Sequence, residues 1–126
     1  MRIYCMDENE LISYVMNLLG QIKLYHWATT SYAKHKALDE LHSALSDKTD
    51  LLVESYIGKF KKQPLKTFTV HTMATSDTKG IEPFLEAERN TMEKLCKKFA
   101  KFPEFENILQ EMMVEVDKTL YLCRLQ

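Results

Sequence analysis

Three glycines and three prolines are all that interrupt these 126 residues. That scarcity constrains the fold more than any other feature. A β architecture needs a turn every few residues, and turns draw heavily on Gly and Pro; long uninterrupted segments are the signature of helices. Gly58, Gly80, Pro64, Pro83 and Pro103 fall where helical patterns begin or end. The chain is therefore expected to be all-α.

The first helix is predicted to start at residue 8. Asp7 and Glu10 have the spacing of a capping box, and Met6 and Leu11 flank them as a hydrophobic staple. Its inner stripe runs Ile12, Val15, Leu19, Ile22, His26 in steps of three and four, which points His26 inward. Thr29, Thr30 and Ser31 offer hydroxyls as N-caps for a second helix, whose stripe of Leu38, Leu41, Leu45, Leu52 and Tyr56 runs toward Gly58. These two helices should pair as an antiparallel hairpin.

Between Lys59 and Gly80 the periodicity fails, and Pro64 with the alternating TFTVHT reads as extended loop. So long a loop needs a reason in a compact domain. A crossover running the length of a bundle supplies one, since about 20 extended residues reach roughly 65 Å. Pro83 and Pro103 suit the first turns of two further helices, with stripes through Leu85, Met92, Leu95, Phe99 and then Ile108, Leu109, Met112, Val116, Leu120. Two antiparallel hairpins joined by one long crossover form a ferritin-like four-helix bundle, expected here as a single domain over residues 1–126.

Charge and cysteines narrow the function classes. With 17 basic and 18 acidic residues the formal net charge is -1, which argues against a general nucleic-acid or anionic-membrane coat. The lysines at 94, 97, 98 and 101 read as a solvated helix edge rather than a phosphate-binding patch. Cys5, Cys96 and Cys123 are scattered and odd in number, without a C-x-x-C pair, so neither a disulfide framework nor a thiolate zinc site is expected. The opening MRIYCMDENE lacks the apolar core of a signal peptide, and no apolar run is long enough to span a bilayer. A cytoplasmic location is expected, the host cytoplasm if the source is viral.

The residues that carry chemistry lie between 26 and 54. At 100° per residue His35, Asp39, Asp50 and Glu54 share one face of the second helix, apart from its core stripe. Asp39 and Asp50 are nevertheless separated by roughly 16 Å of helix axis, too far to reach one ion. The numbers supply a solution, because 35 with 54 and 39 with 50 have the same sum. A two-fold axis near residues 44 and 45 would set His35 opposite a second copy's Glu54, and Asp39 opposite its Asp50. His26, returned by the short turn, could join His35 and Asp39. Two imidazoles with three carboxylates suit iron(II), manganese or zinc better than magnesium or copper(I). At least a homodimer through the second helix is expected.

This pattern resembles the ferroxidase motif of Dps proteins, the miniferritins of the ferritin-like superfamily. In that family a His-Trp pair closes the first helix, followed by His, three residues, Asp, ten residues, Asp, three residues, Glu. Here His26-Trp27 precedes His35, Asp39, Asp50 and Glu54, with the last three intervals matching. The gap between His26 and His35 is three residues shorter than the family's, and there is no lysine-rich N-terminal tail. The wording SYAKHKALDEL is also similar to short ferritin-like proteins of phages and large DNA viruses. The resemblance implies iron(II) oxidation at sites shared by two-fold-related subunits, with metal ligands His26, His35 and Asp39 from one chain and Asp50 and Glu54 from its mate. Trp27 and His42 would stand beside the ligands, with Trp27 packed at the helix end. The competing reading is a non-enzymatic ferritin-like interaction module that has lost the metal. A di-iron site inside one bundle is disfavoured, because it needs Glu-x-x-His on two helices and only Asp39-x-x-His42 is present.

Overall fold

A computed structural model describes residues 7–62 and 80–125. They form four helices: α1 (Glu8–Ala28), α2 (Tyr32–Phe60), α3 (Ile81–Lys98) and α4 (Pro103–Cys123). Their starts follow local chemistry. The Glu10 amide donates to the Asp7 carboxylate at 2.8 Å, so Asp7 caps α1 as its sequence pattern predicts. Ser31 caps α2 through the Lys34 amide at 3.2 Å. Pro103 opens α4, where its missing N–H is no loss, and Pro83 lies in the first turn of α3.

Ion pairs fix the helix directions. Lys48 meets Glu111 at 2.6 Å and Lys59 meets Glu104 at 3.0 Å, so α2 and α4 are antiparallel. Arg89 meets Asp117 at 2.6 Å and Arg124 meets Glu86 at 3.2 Å, which makes α3 antiparallel to α4 as well. Hence α2 and α3 run the same way, the arrangement expected of two hairpins joined by a segment that crosses the length of the bundle. The residues expected to do so, 63–79 with His71 among them, lie outside the described residues, as does Cys5.

One apolar core joins all four helices. The stripes expected on α2, α3 and α4 are all buried, from Leu38 to Tyr56 on α2 and from Ile108 to Leu120 on α4. On α1 Val15, Ile22 and His26 are buried as expected, but two positions of the stripe shift by one residue: Leu11 and Leu18 enter the core, while Ile12 and Leu19 are only half-buried. Both pairs satisfy helical spacing, and only the packing partner decides between them. One boundary also differs: α2 runs through Gly58 to Phe60. The burial of Phe60 against Tyr56 and Phe102, with ring centroids at 4.9 and 5.4 Å, outweighs the roughly 1 kcal/mol that an internal glycine costs. Lys61 then ends the helix at φ 54°, a left-handed position more often given to glycine. Gly80, at the start of α3, approaches α1 so closely that a Cβ there would lie 3.0 Å from the Tyr25 hydroxyl.

A candidate metal centre at the turn between α1 and α2

Only three residues separate α1 from α2, and Thr29 and Ser31 tie that turn down. The Thr29 amide donates to the Tyr25 carbonyl at 3.0 Å, and the Ser31 amide to the Thr29 hydroxyl at 3.2 Å. The consequence is that His26 in the last turn of α1 lies against His35 in the first turn of α2. Their rings stack at a centroid distance of 3.9 Å with 17° between planes. The Nδ1–H of His26 donates to the His35 carbonyl at 2.7 Å, and the Nδ1–H of His35 donates to the His26 carbonyl at 2.9 Å. A carbonyl oxygen only accepts, so in each neutral ring the proton sits on Nδ1 and the lone pair on Nε2. The second bond also satisfies a carbonyl at the end of α1, where helix geometry leaves four without partners. His26 is buried, 8% exposed, as its place in the stripe predicts.

Around this pair lie three further polar groups. Asp39, one turn beyond His35, is exposed, and the Lys23 ammonium stands 3.9 Å from its carboxylate. Lys23 is three residues before His26 and so shares its side of α1. His42 is half-buried; desolvation, and then the Lys23 charge, hold its imidazole below the usual value, against a smaller opposite pull from Asp39. Among the described residues no three His, Cys, Asp or Glu side chains are grouped closely enough to hold an ion.

Asp50 and Glu54 lie farther along α2, both exposed. The ordinary role for helical carboxylates is an ion pair with a lysine one turn away. Lys48 and Lys59 are committed to Glu111 and Glu104 on α4, and Asp50 and Glu54 have no ion pair among the described residues. Trp27 departs from expectation. It is 68% exposed, so it does not pack at the helix end. Its neighbour His26 takes the inward position, and one residue's step of 100° turns the indole outward.

Residues 26–123 match a family described only as a family of unknown function, DUF5856. The chain belongs to that family. This DUF5856 stretch includes the stacked histidines, Asp39, His42, Asp50 and Glu54. Neither the curated proteins nor the solved structures give a match. Sequence reasoning passed over Lys23, although its three-residue spacing to His26 was a usable signal. It also passed over a groove between α1 and α2 lined by Ile12, Met16, Leu19, Val53 and Ile57, with Asp47 and Asp50 at its edge.

Proposed function

We propose that this DUF5856 chain binds iron(II) and oxidises it, in the manner of a Dps-like protein, at sites completed by a second copy. The observation that carries the reading is the reciprocal locking of His26 and His35. Histidines that bind metals characteristically donate their other ring nitrogen to a carbonyl or carboxylate, which fixes both tautomer and orientation. Here both Nδ1 atoms are so engaged, at 2.7 and 2.9 Å, which leaves Nε2 of each ring to face a ligand. One ion cannot lie in the planes of two stacked rings, so each imidazole addresses its own iron. Asp39 would join them from the same chain, and Asp50 and Glu54 from the partner. Carboxylates favour the iron(III) product, and two iron(II) ions can each give one electron to a peroxide, which with two protons becomes two waters. The parallel course of α2 and α3 supports the ferritin-like arrangement that this reading needs.

A second reading has its own observation. Lys23 stands 3.9 Å from Asp39 and supplies positive charge beside the ligands. In a ferritin-like module that has lost its metal, such an ammonium would take over the charge balance, and the histidine pair would serve only to clamp the turn. An anaerobic iron(II) titration of the purified chain, followed by air or peroxide, separates the two. The ferroxidase reading expects saturable binding and oxidation well above the buffer rate; absence of both leaves the clamp.

A further inference from the structure

The groove between α1 and α2 is open and apolar, and it encloses about 480 Å³. Ile12, Leu19, Val53 and Ile57 are half-buried along it, and Met16 is 44% exposed. At the opposite end of α2, Tyr32 projects with 75% of its surface exposed, and the Lys36 ammonium stands 6.0 Å from its ring centre. Tyr32 cannot reach the groove of its own chain. The groove's lining on α2 begins at Ser46, fourteen residues and roughly 21 Å along the axis from Tyr32 at 1.5 Å per residue.

A partly exposed stripe of α2 reads the same in both directions. Tyr32 with Ile57, His35 with Glu54, Asp39 with Asp50 and Ser43 with Ser46 are all two-fold mates about one point. At 100° per residue these positions fall within about 100° of helix surface. An antiparallel copy crossing at that point would bring two small serines together at the closest approach, where they permit tight packing. The same operation carries Tyr32 onto the partner's groove beside Val53 and Ile57. It also sets Lys36 beside the partner's Glu54, one residue out of register, where their charges are complementary.

We infer that the α1/α2 groove is the socket for Tyr32 of a second copy of this chain, with Lys36 reaching the acidic residue beside it, so that each dimer holds two such plugs. The inference rests on the two-fold reading proposed above and adds to it the contact that holds the copies together without metal. It accounts for an exposed aromatic ring and an exposed apolar groove by one symmetric contact, which is how a two-fold interface uses a single patch twice. In this pairing Asp39 would approach the partner's Asp50, and Lys23 at 3.9 Å from Asp39 would offset part of that repulsion.

Sedimentation of the full chain in EDTA, over a micromolar concentration range, tests the contact. Wild type should be a dimer, and Tyr32→Ala should raise the dimer dissociation constant at least ten-fold with an unchanged circular dichroism melt at high dilution, since Tyr32 is outside the core. Lys36→Glu should weaken the dimer as well, and the double variant Lys36→Glu/Glu54→Lys should recover it; recovery requires contact between copies, so a loss due to misfolding would not show it. A monomer in EDTA, or a dimer indifferent to Tyr32→Ala and to both charge variants, overturns the socket. A dimer that behaves as described yet neither binds nor oxidises iron keeps the socket and removes the ferroxidase reading. A chain that oxidises iron while remaining monomeric removes the socket.

Discussion

Both ends of this bundle close with rings in contact, but by different chemistry. Where α2 ends and α3 turns into α4, Tyr56, Phe60, Phe99, Phe102 and Phe105 form a cluster with centroids 4.9 to 6.5 Å apart, most pairs tilted or edge-on. Those rings engage one another through area and edge-to-face geometry. Where α1 turns into α2, two imidazoles stack nearly parallel and exchange hydrogen bonds with each other's backbone. The aromatic end is chemically finished by packing. The histidine end closes through both Nδ1 atoms and leaves both Nε2 atoms without a hydrogen-bond partner among the described residues, and that difference distinguishes a candidate site from a core.

Breaking the aromatic end should produce the largest stability loss. Phe105 is fully buried and contacts four other rings, so Phe105→Ala should cost about 3–5 kcal/mol in urea unfolding. Its effect on iron affinity per folded molecule should be slight. At the histidine end, His26→Ala should cost about 1–3 kcal/mol, because it removes the hydrogen bond that the His26 Nδ1–H gives to the His35 carbonyl and the ring that stacks on His35, while the residue 26 carbonyl that accepts from His35 remains. This variant should also abolish any rise in melting temperature on adding iron(II) anaerobically. Asp50→Asn with Glu54→Gln sharpens the contrast. Both positions are exposed, so stability without metal should move by no more than about 0.5 kcal/mol, while the iron-dependent stabilisation, about 2.7 kcal/mol at a hundred-fold excess over Kd, should disappear.

The smallest effect concerns pH. His42 has its folded-state pKa lowered from 6.5, first by burial and then by Lys23. A depressed folded value means that its contribution to stability is complete above 6.5 and is lost as the pH falls through that value toward the folded one. Melting temperature should therefore decline from about pH 7 to pH 5, and less steeply in His42→Asn. An equal slope in both proteins would exclude His42 as the source.

Much of this architecture was legible because helices announce themselves locally. Asp7 and Ser31 cap the helices that their positions predict, Pro103 opens α4, and the leucine stripe of α2 needed only helical periodicity to be recognised. The placement of His26 at the end of a buried stripe was legible for the same reason. What periodicity could not supply was any fact that depends on a neighbour. Leu11 and Ile12 fit a helical stripe equally well, and contact with the other helices selected Leu11. Gly58 should have ended α2, but the ring cluster around Phe60 extended it. Trp27 looked like an anchor until the inward turn of His26 sent it to solvent.

The amino-acid order by itself determined four helices, the N-caps of the first two, the face of α2 that carries His35, Asp39, Asp50 and Glu54, and the two-fold sum that relates those positions. These follow from turn chemistry and a fixed rotation per residue, which are properties of a segment alone. Tertiary structure decided that His26 and His35 would lock each other's tautomers, that Lys23 would stand at Asp39, and that Lys48 and Lys59 would turn to α4 and leave Asp50 and Glu54 without an ion pair among the described residues. Each of these depends on which atoms from different helices come within a few ångströms, and helix periodicity along one segment leaves that distance undetermined.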